Sequence, residues 1–264
     1  MIDIHSHILP GMDDGSRSVE ESFKMIKEAE IAGFDTIIAT SHYMEGYYEK
    51  ERHIREEWVK GLNDGLKRQN INVKILLGNE IYFSENILNL LNEEKAVTLN
   101  DSAYVLFETA LNAKPINIKD VIYKMLSFKL VPIFAQPERY NYIQKDVSLL
   151  YDLKKMGVLF QCNYGSILGR YGEKAKIIMK KMLKANMVQF LGSDCHRENS
   201  IYVDVPEALS KINEIIGIAK LDEITSKNPM LVINNKRVEP EESFDIKFSL
   251  MEKLALRKNE KNVK

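Results

Sequence analysis

Seven short apolar runs alternate with stretches of helical periodicity along this 264-residue chain, and that alternation excludes most architectures. The runs lie at 2–5, 36–41, 73–77, 104–107, 131–135, 158–162 and 187–191. Helical patterns are read at 18–33, 49–69, 84–94, 117–129, 147–156, 172–186, 206–216 and 221–226. Ser18 and Glu21 form a capping box at the first of these, and Gly33 closes it. Such strand–helix repeats imply parallel strands joined by right-handed crossovers. The length suits a single α/β barrel.

In a parallel barrel the site is built where strands end and the following loops begin. His5 and His7 close the first run, and residues two apart on a strand point to the same face, so the two imidazoles can converge. His42, Glu80, Glu108, Gln136, Asn163, Asp194 and His196 lie at or just past the ends of later runs. One such acid or histidine ordinarily caps the next helix; the whole set at consecutive run ends points to a metal centre. Imidazole and carboxylate donors without a thiolate set suit Mn, Fe or Zn in a catalytic site better than a structural zinc. Carboxylates can bridge two ions, and metal-assisted hydrolysis is the expected reaction class. His53 sits in a charged helical stretch and is read as a solvated surface residue.

The 37 Lys and Arg nearly balance 38 Asp and Glu, which argues against a nucleic-acid-binding tract or a polybasic membrane anchor. Two cysteines provide neither a disulfide framework nor a zinc pattern; Cys162 is read as core, and Cys195 has no evident base to make it a nucleophile. With no leader-like N-terminus and no apolar run long enough to span a bilayer, the expected location is cytoplasmic. From Glu239 onward the sequence is charged with scattered apolar positions (Phe244, Phe248, Leu250, Leu254), a tail or an amphipathic helix. The expected division is thus a domain at 1–238 and an appendage at 239–264.

The motifs resemble, in order, those of the polymerase and histidinol phosphatase (PHP) superfamily, and more closely the bacterial metal-dependent protein-tyrosine phosphatases of capsule and exopolysaccharide operons. The matching stretches are Met1-Ile-Asp-Ile-His-Ser-His-Ile8, Asp13-Asp-Gly-Ser16, Thr40-Ser-His42, Gly78-Asn-Glu-Ile-Tyr82, Leu106-Phe-Glu108, Pro137-Glu-Arg-Tyr140 and Gly192-Ser-Asp-Cys-His196. The resemblance implies a distorted, TIM-like (β/α)7 barrel with up to three divalent ions, commonly Mn2+. It implies that His5, His7, Glu80 and Asp194 hold the first ion. Glu80 would bridge to a second, also held by Glu108 and the residue at 136, and Asp14, His42 and His196 would hold the third. A metal-activated hydroxide would attack the phosphorus of phosphotyrosine. Arg139, Asp194 and His196 would be catalytic, Arg139 by holding the phosphate, since a guanidinium fork matches phosphate oxygens.

The chain departs from that pattern twice. Gln136 stands where the family has a histidine ligand. Its neutral amide oxygen is a weaker ligand, so the second ion is expected to be loose, shifted or absent and turnover depressed. After His196 the family often carries a second arginine in a Gly-Arg-Pro context, and here the stretch begins Arg197-Glu-Asn-Ser. The implied partner is the phosphotyrosine-bearing tail of a membrane-linked tyrosine autokinase. Tyr43, Met44, Tyr47 and Tyr48 either wall in a phenyl ring or pack on the barrel rim. Competing readings are a PHP phosphoesterase for a small phosphomonoester such as histidinol phosphate, or for a nucleic acid 3′ end. A non-catalytic phosphotyrosine- or metal-binding form and an amidohydrolase-type barrel are the others. Against the last stands a glutamate at the third strand end, where that class typically uses a carboxylated lysine. Oligomeric state is open.

Overall fold

The computed structural model describes residues 1–257; the last part of the expected appendage, 258–264, lies outside the described residues. Chain order runs β1 (Ile2–Ser6), α1 (Val19–Ile31), β2 (Thr36–Ala39), β3 (His42–Tyr43), α2 (Arg52–Arg68), β4 (Lys74–Leu77), β5 (Glu80–Tyr82) and α3 (Ile87–Asn92). It continues with β6 (Tyr104–Glu108), α4 (Ile118–Ser127), β7 (Val131–Ala135), α5 (Asn141–Lys145), α6 (Ser148–Met156), β8 (Leu159–Asn163) and α7 (Tyr164–Leu168). The remainder is α8 (Gly172–Lys184), β9 (Phe190–Gly192), α9 (Ile201–Asp222), α10 (Asn228–Ile233) and α11 (Leu250–Arg257). No helix among the described residues is long and apolar enough to cross a membrane.

All the strand pairs are parallel, in one sheet of order β1-β2-β4 and a second of order β3-β5-β6-β7-β8-β9. The ends of the two sheets meet. His5 O accepts from Asp194 N at 2.8 Å, and His7 N donates to Cys195 O at 3.0 Å, so the first strand is bonded to the segment that follows the last. The result is a curled parallel sheet with helices outside it.

The strand count differs from the seven expected because the chain bends after the second and third runs and a further short strand, β3 or β5, follows each bend. Side chains take over backbone hydrogen bonds at the bend. Asn79 Nδ2 donates to Ser41 O at 2.7 Å, and its Oδ1 accepts from Val97 N at 3.0 Å and from Arg55. Arg55 also donates to Lys95 O at 2.6 Å. It is buried under the rim, although it belongs to the helix read as charged. Satisfying buried backbone groups in this way is what permits an irregular segment inside a core.

Strand residues alternate between two apolar clusters, as both faces of the sheet are covered. In β6, Tyr104 and Leu106 point into an inner cluster with Ile4, Ile38, Ile133 and Phe190, while Val105 and Phe107 join the outer one beneath the helices. The outer cluster contains an aromatic column. Phe107 stacks on Phe134, Phe134 on Tyr140 (both 5.0 Å between centroids), and Tyr140 on Tyr142 (5.3 Å). Tyr140 OH accepts from Thr109 N at 3.1 Å, so the column ties the loop after Glu108 to the one that carries Arg139.

At the C-terminal side, Phe244 N donates to Ala185 O at 3.0 Å, Lys181 pairs with Glu252 at 2.8 Å, and Phe248 and Leu256 pack on the core. Phe244, Leu250 and Leu254 remain exposed. The column predicts that Phe134→Ala destabilises the fold by about 3–5 kcal/mol, the usual cost of emptying a packed aromatic site, read as a lowered midpoint in urea unfolding.

Candidate metal centre

The C-terminal ends of the strands and the loops after them bring eight metal-capable side chains to one point. His5 and His7 converge as their spacing predicts, with their Nε2 atoms 3.2 Å apart. Both face Glu80 Oε2, at 3.2 and 3.4 Å, and Asp194 Oδ1, at 3.4 and 3.5 Å. His42 Nδ1 lies 3.1 Å from Glu80 Oε2 and 3.0 Å from Glu108 Oε1. Asp14 Oδ1 stands between His42 Nε2 (3.5 Å) and His196 Nε2 (3.4 Å). The donor atoms fall into three overlapping groups, each compact enough to hold one ion: His5, His7, Glu80 and Asp194; His42, Glu80 and Glu108; and His7, Asp14, His42 and His196.

Two chain segments pass so close that only glycine fits. A Cβ on Gly192 would lie 2.7 Å from His5 Cβ and 2.6 Å from Gln161 Nε2; one on Gly15 would lie 2.3 Å from His7 O. These contacts clamp β1 between the loop that carries Asp13 and Asp14 and the end of β9.

A divalent cation fits the donor set on a specific observation. Glu80 Oε2 and His42 Nδ1 are buried without a hydrogen-bond partner, although they sit 3.1 Å apart. Orphaned buried polar atoms are costly unless something else satisfies them. The electrostatics point the same way. Burial disfavours a charged imidazole at His5, but Glu80 and Asp194 outweigh it and raise its pKa. Burial and neighbouring His7 oppose charge on His42, yet Glu80 and Glu108 lift it to about 10. Burial works against ionised Glu80, but His5 and His42 hold its carboxyl well below the usual range. Glu108 moves upward, through burial and then the charge of Glu80. The cluster thus attracts positive charge into a water-poor pocket.

Gln136 occupies the position of the expected histidine ligand in a left-handed conformation, φ 45°. Its amide Nε2 donates to Glu80 Oε1 at 3.3 Å, and its Oε1 accepts from Asn163 Nδ2 at 2.9 Å and from Arg139. His42, expected only with the third group, faces Glu80 and Glu108 as well. Arg139 pairs with Asp194 Oδ2 at 2.7 Å, and its guanidinium lies 4.1 Å from the centre of the Tyr171 ring. Arg197 turns to backbone, donating to Gly15 O and, at 2.7 Å, to His196 O. Of the rim residues, Tyr43 is buried, Tyr48 stacks toward His42 at 5.8 Å, and Tyr47 is exposed. Cys162 and Cys195 are buried, and burial pushes both thiols up. His53 is exposed and paired with Glu51.

Three supporting residues went unrecognised in the sequence. Asp13 Oδ2 holds His7 Nδ1 at 2.7 Å and accepts from His42 N at 2.7 Å. Gln161 Oε1 meets His5 Nδ1 at 2.8 Å, and Tyr171 underlies Arg139. Gln161 had a visible mark, a polar residue inside an apolar run. Asp13 was overshadowed by its neighbour Asp14, and nothing local distinguishes Tyr171.

The family described as capsular polysaccharide synthesis, CpsB/CapC, matches residues 1–234. The chain belongs to this family. Tyrosine-protein phosphatase YwqE of Bacillus subtilis is 32% identical over 238 residues, which cover 90% of this chain and 93% of that protein. Tyrosine-protein phosphatase CpsB of Streptococcus pneumoniae is 31% identical over 244 residues, 90% of this chain and 100% of that one. A crystal structure from work on YwqE and CpsB, described there as unique metal-dependent tyrosine phosphatases, superposes with a TM-score of 0.87 at 31% identity, covering 93% and 100% of the two chains. A histidinol phosphate phosphatase of Lactococcus lactis shares the fold, with a TM-score of 0.56 at 14% identity over 81% of this chain and 93% of that one.

For this CpsB/CapC member, Asp13 orients His7 without belonging to any of the three donor groups. Asp13→Asn is therefore expected to weaken divalent-cation binding by about 10–100-fold, as loss of such an orienting partner typically does. Titration calorimetry of the variant against the parent checks it.

Proposed function

We propose that the chain is a metal-dependent protein-tyrosine phosphatase that hydrolyses phosphotyrosine on the tail of a capsule or exopolysaccharide tyrosine autokinase, in the cytoplasm. The observation that carries this reading is the sharing of buried, orphaned Glu80 Oε2 among donor groups that sit beside a guanidinium. His5, His7, Glu80 and Asp194 would hold one ion, Glu80 and Glu108 with His42 a second, and Asp14, His42 and His196 with His7 a third. Mn2+ is the expected ion, with Fe or Zn as alternatives of the same chemistry. Divalent ions bound there supply the charge that makes water nucleophilic near neutral pH and that stabilises phosphoryl oxygens.

The protein's own groups supply orientation and charge. Arg139 presents its fork to phosphate oxygens, where charge-assisted hydrogen bonds are strongest. Its rest partner is Asp194, so one carboxylate connects the phosphate-holding residue to the ion donors. His196 Nδ1 donates to Asp194 O at 3.0 Å, which leaves Nε2 directed at Asp14 as a donor atom. The Asp14 and His196 side chains are 56% and 28% exposed, so the centre opens to solvent on that side and admits a protein-borne phosphotyrosine. Tyr48 and exposed Tyr47 offer the phenyl ring an apolar wall.

In the same reading, β2 with β3 and β4 with β5 are halves of two bent strands, which makes the architecture the distorted (β/α)7 barrel. Residues 1–238 are the catalytic unit and 239–264 an appendage. Gln136 holds Glu80 by a hydrogen bond instead of supplying a strong ligand, which depresses turnover.

Phosphate release from a phosphotyrosyl peptide in Mn2+, beside histidinol phosphate and single-stranded DNA, tests the assignment. Only the peptide is expected to react well, and preference for histidinol phosphate would overthrow the tyrosine phosphatase reading. Gln136→His should activate at roughly tenfold lower Mn2+ or less, about 1.4 kcal/mol of ion binding. Arg139→Ala should cost about 10²–10³ in kcat, the usual loss when one oriented charge-stabilising donor is removed. Steady-state kinetics across Mn2+ concentrations reads both.

A further inference from the structure

A cavity of about 770 Å3 lies between α5, α8 and α11, away from the metal-site donors. Lys145, Lys174, Lys253 and Arg257 line it, with Asn141 and Gln144 beside them and, among the described residues, no acidic one. Among the described residues none of these four cations is in an ion pair, whereas neighbouring Lys181 is matched by Glu252. Like charges that converge on a cleft repel one another, and a cleft walled by one sign concentrates counter-ions. Phe248 and Leu256 add an apolar flank.

The cavity shares a wall with the Arg139 loop. Asn141 follows Arg139 by two residues, and Gln144 Nε2 donates to Glu138 O at 3.0 Å and to Arg139 O at 3.4 Å. On the other side, Lys174 is three residues beyond Tyr171, the ring beneath the Arg139 guanidinium. The outer wall, Lys253 and Arg257, comes from α11, beyond the residues 1–234 that match the family. An extended peptide advances about 3.3–3.6 Å per residue. A side chain several positions along the peptide from a reacting phosphotyrosine is the group that would meet this cavity.

We propose that the cavity is a secondary anion subsite, which takes a phosphate or carboxylate side chain of the same peptide whose phosphotyrosine sits at the metal centre. The proposal rests on the phosphatase reading above and deepens it: the preferred substrate is a segment with a second negative charge near the reacting tyrosine. Phosphate, a dianion on an aromatic stem, uses both the cations and the Phe248–Leu256 flank; carboxylate uses the cations alone.

The test is kcat/KM of the Mn2+-loaded full chain on three peptides of one sequence: one phosphotyrosine, that plus a second phosphotyrosine, and that plus a glutamate. p-Nitrophenyl phosphate, which is too small to span both sites, reports basal chemistry. The charged peptides are expected to gain about tenfold, mostly through KM. The gain should disappear in K253E/R257E and in K145A/K174A/K253A/R257A, with p-nitrophenyl phosphate turnover unchanged. A greater gain for the second phosphotyrosine assigns the subsite to phosphate, and equal gains assign it to any anion. Equal kcat/KM for all three peptides in the parent, or a gain that survives both variants, overturns the subsite alone. No phosphate release from any substrate overturns the phosphatase reading and the subsite with it. The parent's peptide comparison decides even where a variant folds poorly.

Discussion

The structure depends on how it accommodates one buried carboxylate. Glu80 is fully enclosed, and taking an ionised carboxylate out of water costs several kcal/mol even after relaxation. Three imidazoles, from His5, His7 and His42, surround its Oε2 at 3.1–3.4 Å. Each imidazole needs its other face fixed, and that requirement spreads outward. Gln161 holds His5, Asp13 holds His7, and Asn163 and Gln136 complete the polar layer toward Asp194. The apolar clusters on both faces of the sheet make this layer rigid, because close-packed interiors do not yield gradually. Positive charge at the centre is therefore the condition under which the remaining contacts are favourable.

Much of this was legible in the sequence because the period of the apolar runs marked strands and the polar residues at their ends marked the site. His5, His7, Glu80, Glu108, Asp194 and His196 are all of that kind. The bends were hidden. A run such as 73–77 followed by Gly78-Asn-Glu80 reads as a strand and its loop, yet Asn79 carries backbone hydrogen bonds that let the strand resume at Glu80. Arg55 was equally hidden, since helical charge is ordinarily solvated and only Asn79 and a carbonyl 40 residues away explain its burial. Residues that act through another residue, such as Asp13 or Tyr171, leave no periodic trace.

Gln136, where the family resemblance implies a histidine ligand, acts in the structure as a hydrogen-bonding residue. Its left-handed backbone still turns the chain at the end of β7, and its side chain still reaches Glu80. Here an amide donates to the carboxylate, whereas the histidine that the family resemblance implies at this position would offer a ring nitrogen. The carboxamide also accepts from Asn163 and Arg139, so it joins the polar layer rather than disturbing it.

The bonds between β1 and the segment after β9 have a consequence for synthesis. Asp194 and His196 are synthesised almost 190 residues after His5 and His7, and the backbone bonds at His5 O and Cys195 O join the two segments. No nascent chain that stops short of His196 can assemble the complete donor set. Ion capture is therefore a late event, and a released fragment that lacks the last strand keeps the imidazoles around Glu80 but loses Asp194 from the first donor group and His196 from the third.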